Sequence, residues 1–307
     1  NIRFAGFSDE WVQRKLGEIS RMYQPPTITG NDLLPDGVPV FGANGFIGFF
    51  SEANHIEDQV TISARGEGTG TPSYVHGPVW ITGNSMVVNV DDFDINKYFL
   101  FANLTSNSLK KYVTGGAQPQ ITRDVLVKVP ITLPNADEQQ KIGSVFSTLD
   151  HKIGLEERQI KLLKDLKKGY LQKMFPKNGA TVPELRFAGF ADDWEDRKLG
   201  DITKISTGKL DANAMVENGK YDFYTSGIKK YRIDVPAFEG PAITIAGNGA
   251  TVGYMHLADN KFNAYQRTYV LQEFVVDRSF LFSEVGNKLP KKINQEARTG
   301  NIPYIVM

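Results

Sequence analysis

The chain has 307 residues, 41% of them apolar and 23% charged, with Lys plus Arg equal to Asp plus Glu at 35 each. That length suffices for two domains with separate cores, and the even charge balance excludes an overall basic signature, so any nucleic-acid surface must be a local patch. The absence of cysteine excludes disulfides, thiolate chemistry and cysteine zinc sites and fits a reducing cytoplasm, while no apolar run approaches the roughly 20 residues that span a membrane.

Residues 3–19 read RFAGFSDEWVQRKLGEI and residues 186–202 read RFAGFADDWEDRKLGDI, with 12 of 17 positions identical at an offset of 183. Chance does not supply that, so the chain carries an internal duplication. Ile62, Gly66 and Gly70 answer Ile245, Gly249 and Gly253 at the same offset, Phe99-Leu100-Phe101 answers Phe280-Leu281-Phe282 at 181, and Pro119 and Ile121 answer Pro303 and Ile305 at 184. Phe4, Phe7, Trp11 and Leu16, with their partners Phe187, Phe190, Trp194 and Leu199, are expected to form an apolar tuck where each globule meets a rod. The block edges agree and the interiors differ, so one scaffold carries two different faces.

Short β-type runs recur at 38–41, 59–63 and 85–90, and again at 242–246 and 269–271. Glycine-rich turns at 66–70 and 247–249 separate them. Short helices are expected at 96–105 and 277–289. Each copy therefore reads as an α+β globule with a curved sheet.

Between the copies lies a different pattern. From 135 to 174, apolar residues recur at steps of four and three: Ile142, Phe146, Leu149, Ile153, Ile160, Leu163, Tyr170 and Met174, interrupted at Glu156 and Lys167. Asn135 is placed as N-cap, with Glu138 at the capping-box position. Phe175-Pro176 and Asn178-Gly179 end the run. About 40 residues at about 1.5 Å each give a rod of about 60 Å, too long to bury its stripe against a small domain. It needs a second long helix, in coiled-coil fashion. None occurs elsewhere in the sequence, so the partner is expected from another chain or from a continuation of this one; the rod's counterpart would fall due beyond Met307. The organisation reads as a first globule at 1–134, a spacer helix at 135–175, a linker at 176–185 and a second globule at 186–307. The lysines of the rod, at 161, 164, 167, 168 and 173, either keep it soluble, the favoured reading, or pass near a phosphate backbone.

Catalytic signatures are missing. No phosphate-binding G-x-x-x-x-G-K-[ST] occurs, and neither glycine loop continues as a dinucleotide fingerprint. The four histidines, His55, His76, His151 and His256, lack metal-ligand spacing. Pro25-Pro26 follows Gln24 and precedes Thr27, so the tetrapeptide of an amino-methyltransferase is absent. A binding module is favoured over an enzyme.

The residues suited to binding cluster in each copy. In the first, Lys110, Lys111 and Tyr112 precede Gly115-Gly116, and Gln118 and Gln120 follow. Glycines admit a close partner, lysines suit phosphates, and glutamines pair with adenine edges. The alternative is a solvated helix end and a turn. Arg65, beside the 66–70 loop, suits guanine or a neighbouring carboxylate. The second copy offers Lys229 and Lys230 beside Tyr231 and Arg232, Asn248 in its glycine loop, Arg267 after Gln266, and Lys291, Lys292 and Arg298 towards the end.

With RFAGFSDEW and LGEI opening a globule, KKYVTGGAQPQI, VPITLPNADEQQKIGSVFSTLDHKI leading the rod, and RFAGFADDW opening the second copy, the chain resembles the specificity subunits of Type I restriction–modification systems. The resemblance implies two β-rich target-recognition domains joined by a long spacer helix. It implies double-stranded DNA as ligand, each domain reading one half of a split target. It implies modification (methyltransferase) subunits, held by the Glu138-Gln139-Gln140 region and the rod stripe, and restriction (translocase/nuclease) subunits. S-adenosylmethionine, ATP and magnesium would sit on those partners, and this chain would hold no cofactor, no metal and no catalytic residue. The other readings are a scaffold that binds protein and not DNA, and a subunit of a related fused restriction–methylation enzyme.

Overall fold

A computed structural model describes residues 3–177 and 179–296 of the chain. Two compact units divide it, 1–159 and 160–307. Unit 1 runs β1 (Val12–Lys15), β2 (Arg21–Tyr23), β3 (Val38–Gly42), β4 (Gly45–Phe50), β5 (Gln59–Ser63), β6 (Pro72–Val75), β7 (Trp80–Ile81), β8 (Ser85–Asn89), α1 (Lys97–Ser106), α2 (Arg123–Leu126) and β9 (Pro130–Leu133), then starts α3 (Ala136–Lys173). Unit 2 continues from α3 with α4 (Leu199–Ile202), β10 (Lys204–Thr207), β11 (Tyr221–Tyr224), β12 (Tyr231–Ile233), β13 (Phe238–Glu239), β14 (Ala242–Ala246), β15 (Met255–Ala258), β16 (Lys261–Ala264), β17 (Thr268–Gln272) and α5 (Arg278–Glu296). The expected strands at 59–63 and 242–246 match β5 and β14, and the others lie within a residue of their observed limits.

The single curved sheet expected for each globule is instead two packed sheets, with a further two-stranded ribbon in unit 1. All five residues of β5 are buried, so this strand needs a layer on each face. In unit 1 the four-stranded sheet β2-β8-β5-β6 provides the middle layer, with β4-β3-β7 as a second sheet and β1-β9 as a two-stranded ribbon. Alternation along the strands sorts the core. Val60, Ile62, Met86 and Val88 meet Phe99, Leu100 and Leu104 of α1, while Val87 and Val75 turn to Ile81 and Phe41 of the small sheet and to Val79 just before it.

Unit 2 repeats this arrangement. Its sheets run β10-β17-β14-β15 and β12-β11-β16-β13, and the register itself is duplicated. Val60↔Val88 becomes Ile243↔Leu271, and Val38↔Phe50 becomes Tyr221↔Ile233; each residue is shifted by 183, as 60 to 243 and 38 to 221. The duplication thus extends through strands whose sequences have diverged. Ile243, Ile245 and Leu271 face Leu281 of α5, and Tyr224, Ala242, Phe262 and Val270 fill the space between the sheets.

The helix α5 runs on through Pro290 to Glu296, whereas the sequence reading stops it at Leu289. Proline removes one backbone donor, but Leu289 and Ile293 both pack beneath Gly253, and that tertiary contact carries the helix past the break. The expected helix at 96–105 is α1, capped by Asn96, whose side chain accepts from Phe99 N at 2.8 Å.

At the start of α3 the expected N-cap forms: Asn135 Oδ1 accepts from Glu138 N at 3.0 Å. Glu138, however, does not turn back to cap. Its carboxylate is 1% exposed and takes two bonds from Arg3, at 2.8 and 2.7 Å. The guanidinium of Arg3 holds this carboxyl below its ordinary range against the opposing effect of burial. Gln139 Oε1 accepts from Asn96 N at 3.2 Å and Gln140 Oε1 from Asn96 Nδ2 at 2.6 Å. Gly143 is required here, because a Cβ on it would lie 2.2 Å from Asn96 Oδ1. Farther along, Tyr98 donates to Asp150 at 2.8 Å, and burial with this bond pushes the phenol up to about 12.

The apolar tuck is only partly realised. Leu16 is fully buried, Trp11 meets Phe99 edge-on at 6.0 Å, and Lys141 Nζ lies 4.7 Å from the Phe7 ring centroid. In unit 2, Trp194 packs on Phe280 and Phe175 at 5.5 and 6.0 Å. Phe4 stays 39% exposed, and Phe187 and Phe190 are 70% and 68% exposed. Trp11 is itself 38% exposed, and of the eight motif positions only Leu16 is fully buried. Asn178, Pro303 and Ile305, used above as turn and repeat markers, lie outside the described residues.

Candidate nucleic-acid interface

In unit 1 the candidates on 65–70 and 109–120 converge. Gly66 and Gly70 close the loop after β5 with φ of +89° and +83°, values that favour glycine. A Cβ on Gly70 would also press Val113 at 3.2 Å, so the loop rests directly on the 109–113 segment. That segment begins as a short 3-10 turn, Leu109–Tyr112, whose Leu109 is buried. Residues 114–120 then form a narrow hairpin. Thr114 N donates to Gln120 O and Gln120 N to Thr114 O, both at 2.9 Å, with Gly115 and Gly116 at φ of +96° and +46°. Two bonds tie hairpin and loop: Gly66 N to Pro119 O at 3.3 Å and Thr69 Oγ1 to the same oxygen at 3.1 Å. Arg65 stands opposite Gln120 in an isolated bridge.

Arg65, Lys110, Lys111, Gln118 and Gln120 are all exposed on this assembly. Arg65 has no ion pair among the described residues, so it serves no neighbouring carboxylate. Tyr112 differs: it packs against the core, and Lys111 Nζ lies 5.1 Å from its ring centroid. Its ring is half-buried.

Unit 2 builds the equivalent loop, with Gly249 and Gly253 at φ of +88° and +82°. Asn248 occupies the place of Arg65, since 248 is 65 plus 183, and its Oδ1 accepts from Ser226 Oγ at 2.6 Å. Gly247 N donates to Arg267 O at 2.9 Å, as Ala64 N does to Asn84 O at 2.9 Å. Arg267 is exposed at the rim. Lys229 Nζ lies 5.4 Å from the Tyr231 ring centroid, and Lys230 Nζ 5.4 Å from that of Tyr224 and 3.7 Å from Asp222. Arg232 is committed to Asp222 and to the carbonyls of Gly219 and Lys220, and so braces the turn. Beneath it, burial lowers the His256 imidazole, whose Nε2 lies 3.4 Å from Gly227 O. Lys292 is exposed beside Ile293, the residue seated under Gly253. The side chain of Lys291 and all of Arg298 lie outside the described residues.

Two polar residues on these surfaces escape a reading by charge and motif. Asn84 is exposed at the position equivalent to Arg267, and Asn44 is exposed with its Oδ1 3.0 Å from where a Cβ on Gly68 would lie. Applying the offset of 183 to every candidate exposes the first; the second requires the fold.

The stripe on α3 is a separate surface. Phe146, Leu149, Ile153, Ile160, Leu163 and Tyr170 are 45–56% exposed, Met174 is half-buried just past the helix end, and Ile142 packs onto the unit 1 core. Among the described residues no group of three or more His, Asp or Glu is placed to hold a metal ion, and no helix is long and apolar enough to cross a membrane.

The family model for "Type I restriction modification DNA specificity domain" matches residues 8–165 and 191–307. The Type I restriction enzyme EcoDI specificity subunit of Escherichia coli is 41% identical over 113 residues, 37% of this chain and 25% of that protein. The MjaVIII specificity subunit of Methanocaldococcus jannaschii is 28% identical over 144 residues, 46% of this chain and 32% of that protein. The matched region thus spans about a quarter to a third of these curated relatives. A crystal structure of a Type I restriction–modification S subunit from M. genitalium has the same fold, with a TM-score of 0.80 over 99% of this chain and 84% of that one at 17% identity. Through two matches that together take in most of its length, the chain belongs to the family of Type I restriction–modification DNA specificity domains.

Proposed function

We propose that this chain is the DNA-reading subunit of a Type I restriction–modification complex. Unit 1 reads one half of a split duplex target with Arg65 and the 110–120 segment, and unit 2 reads the other with Asn248, Lys229, Lys230, Arg267 and the end of α5. The chain performs no chemistry. The modification subunits bring S-adenosylmethionine and methylate adenine, and the restriction subunits bring ATP and magnesium. The observation that carries this reading is the paired glycine loop. Two loops of matched backbone place an exposed arginine in one unit and an asparagine in the other, the two side chains suited to guanine and to adenine respectively.

The exposed stripe of α3 is the proposed docking face for modification subunits or for a second long helix, and its length sets the gap between half-sites. A gel shift of the chain assembled with its modification subunits, repeated over a salt series, tests the reading. Sequence-selective binding that weakens steeply with salt is expected. A complex that assembles fully yet shifts no duplex would leave only the protein-docking role.

A further inference from the structure

The hairpin joining β3 to β4 is tied to the glycine loop in both units, by different bonds at equivalent places. In unit 1, Ser63 Oγ donates to Ala43 O, and Asn44 lies against Gly68. In unit 2, Ser226, the equivalent of Ala43, donates to Asn248 and accepts from Thr251 Oγ1. The hairpin is therefore part of the same surface as the loop in each copy.

Its tip is apolar in unit 1. Phe46 and Ile47 are 58% and 45% exposed, and both are held in place. Phe46 meets Phe49 edge-on at 5.1 Å. Ile47 is the extra residue of a β-bulge, since Val40 pairs with Gly48 but Phe41 with Phe46, and bulges redirect a side chain beside a site. Registered by the flanking pairs Val40↔Gly48 and Phe223↔Tyr231, the equivalents of Phe46 and Ile47 are Lys229 and Lys230. A pair kept for packing would not be exchanged for two exposed cations on the same scaffold. A pair that meets a different base edge in each copy would be, because apolar groups recognise the thymine methyl whereas lysine recognises guanine acceptors or phosphate.

We propose that Phe46 and Ile47 read a thymine methyl in the major groove of the half-site held by unit 1. This rests on the DNA-reading role given above and adds a specificity determinant to it. The test uses the complex with its modification subunits and duplexes in which each thymine of the target is replaced singly by uracil, which lacks the methyl. The wild type is expected to bind about fourfold more weakly at one such position, the equivalent of one buried methyl group. F46A/I47A is expected to bind thymine and uracil duplexes alike. F46K/I47K, which copies the unit 2 pair, is expected to lose the same preference and to steepen the salt dependence by about two ion equivalents. A wild type indifferent to every replacement, or variants that keep the preference, overturns the proposal. So does an F46A/I47A variant that stays folded but no longer assembles with the modification subunits, since the tip would then dock protein. If the wild-type complex selects no duplex at all, the DNA-reading role falls first.

Discussion

Arg65 and Lys111 illustrate two different uses of positive charge. Arg65 is exposed beside the glycine loop and has no carboxylate partner among the described residues, which suits a base edge, whereas the exposed Lys111 lies over the Tyr112 ring. Arg65→Ala is expected to relax base preference at one position of one half-site by about 1–3 kcal/mol, read as the appearance of additional methylated sequences. Lys111→Ala is expected to leave the sequence unchanged and to reduce the slope of log affinity against log salt by about 0.9. Asn44 and Asn84 could not be found by charge, because uncharged polar residues are common on any surface. The repeat offset from Arg267 reaches Asn84, and only the fold, which sets Asn44 beside the glycine loop, reaches Asn44.

At the scale of elements, α3 offers an internal comparison. A Cβ on Gly143 would collide with Asn96, whereas one on Gly154 would meet nothing within 4 Å. Gly143→Ala is therefore expected to destabilise unit 1 by about 1–3 kcal/mol through overpacking, and Gly154→Ala to stabilise the helix by up to about 1 kcal/mol; chemical denaturation of the two variants measures both. The Arg3–Glu138 pair makes this junction sensitive to acid. Glu138 has its carboxyl lowered in the folded chain from an ordinary value of 4.5, so its contribution is complete above that value and is lost as pH falls below it towards the folded value. Thermal stability measured against pH is expected to decline more steeply below about pH 4.5 in the wild type than in Glu138→Gln.

The long helix, the strands and the helix caps were legible because each leaves a local signature: period, β-branched runs, Asn before an apolar stretch. The division into two sheets was not, because β5 reads only as a short apolar run whichever layers cover it. The role of Glu138 was masked for a related reason. A glutamate three residues past an N-cap fits the local capping pattern, and its actual partner, Arg3, lies 135 residues away in sequence. Pro290 misled in the opposite direction, since tertiary packing outweighs a single missing donor. The candidate site was legible in its charged members and its glycines, and the comparison of the two copies supplied most of the rest.

For the whole molecule, duplication accounts for how one fold would read two unrelated half-sites under the proposed function. The backbone that sets the loops is copied in register, and the side chains on it are free to differ. The helix of 38 residues then acts as the proposed ruler. Insertion of one heptad lengthens it by about 10.5 Å and turns its far end by only about 20°, close to three base pairs of duplex. The gap in the recognised sequence is expected to widen by about that amount with both half-sites unchanged, and an unaltered gap would separate the helix from the spacing.

The division of labour between the two units is tested most directly by mapping adenine methylation in cells that express the modification subunits with either the wild-type chain or Arg65→Ala. The wild type is expected to yield one split motif, and the substitution to change a single position in one half while the other half stays intact. A motif altered in both halves, or no methylation that depends on this chain, would contradict it.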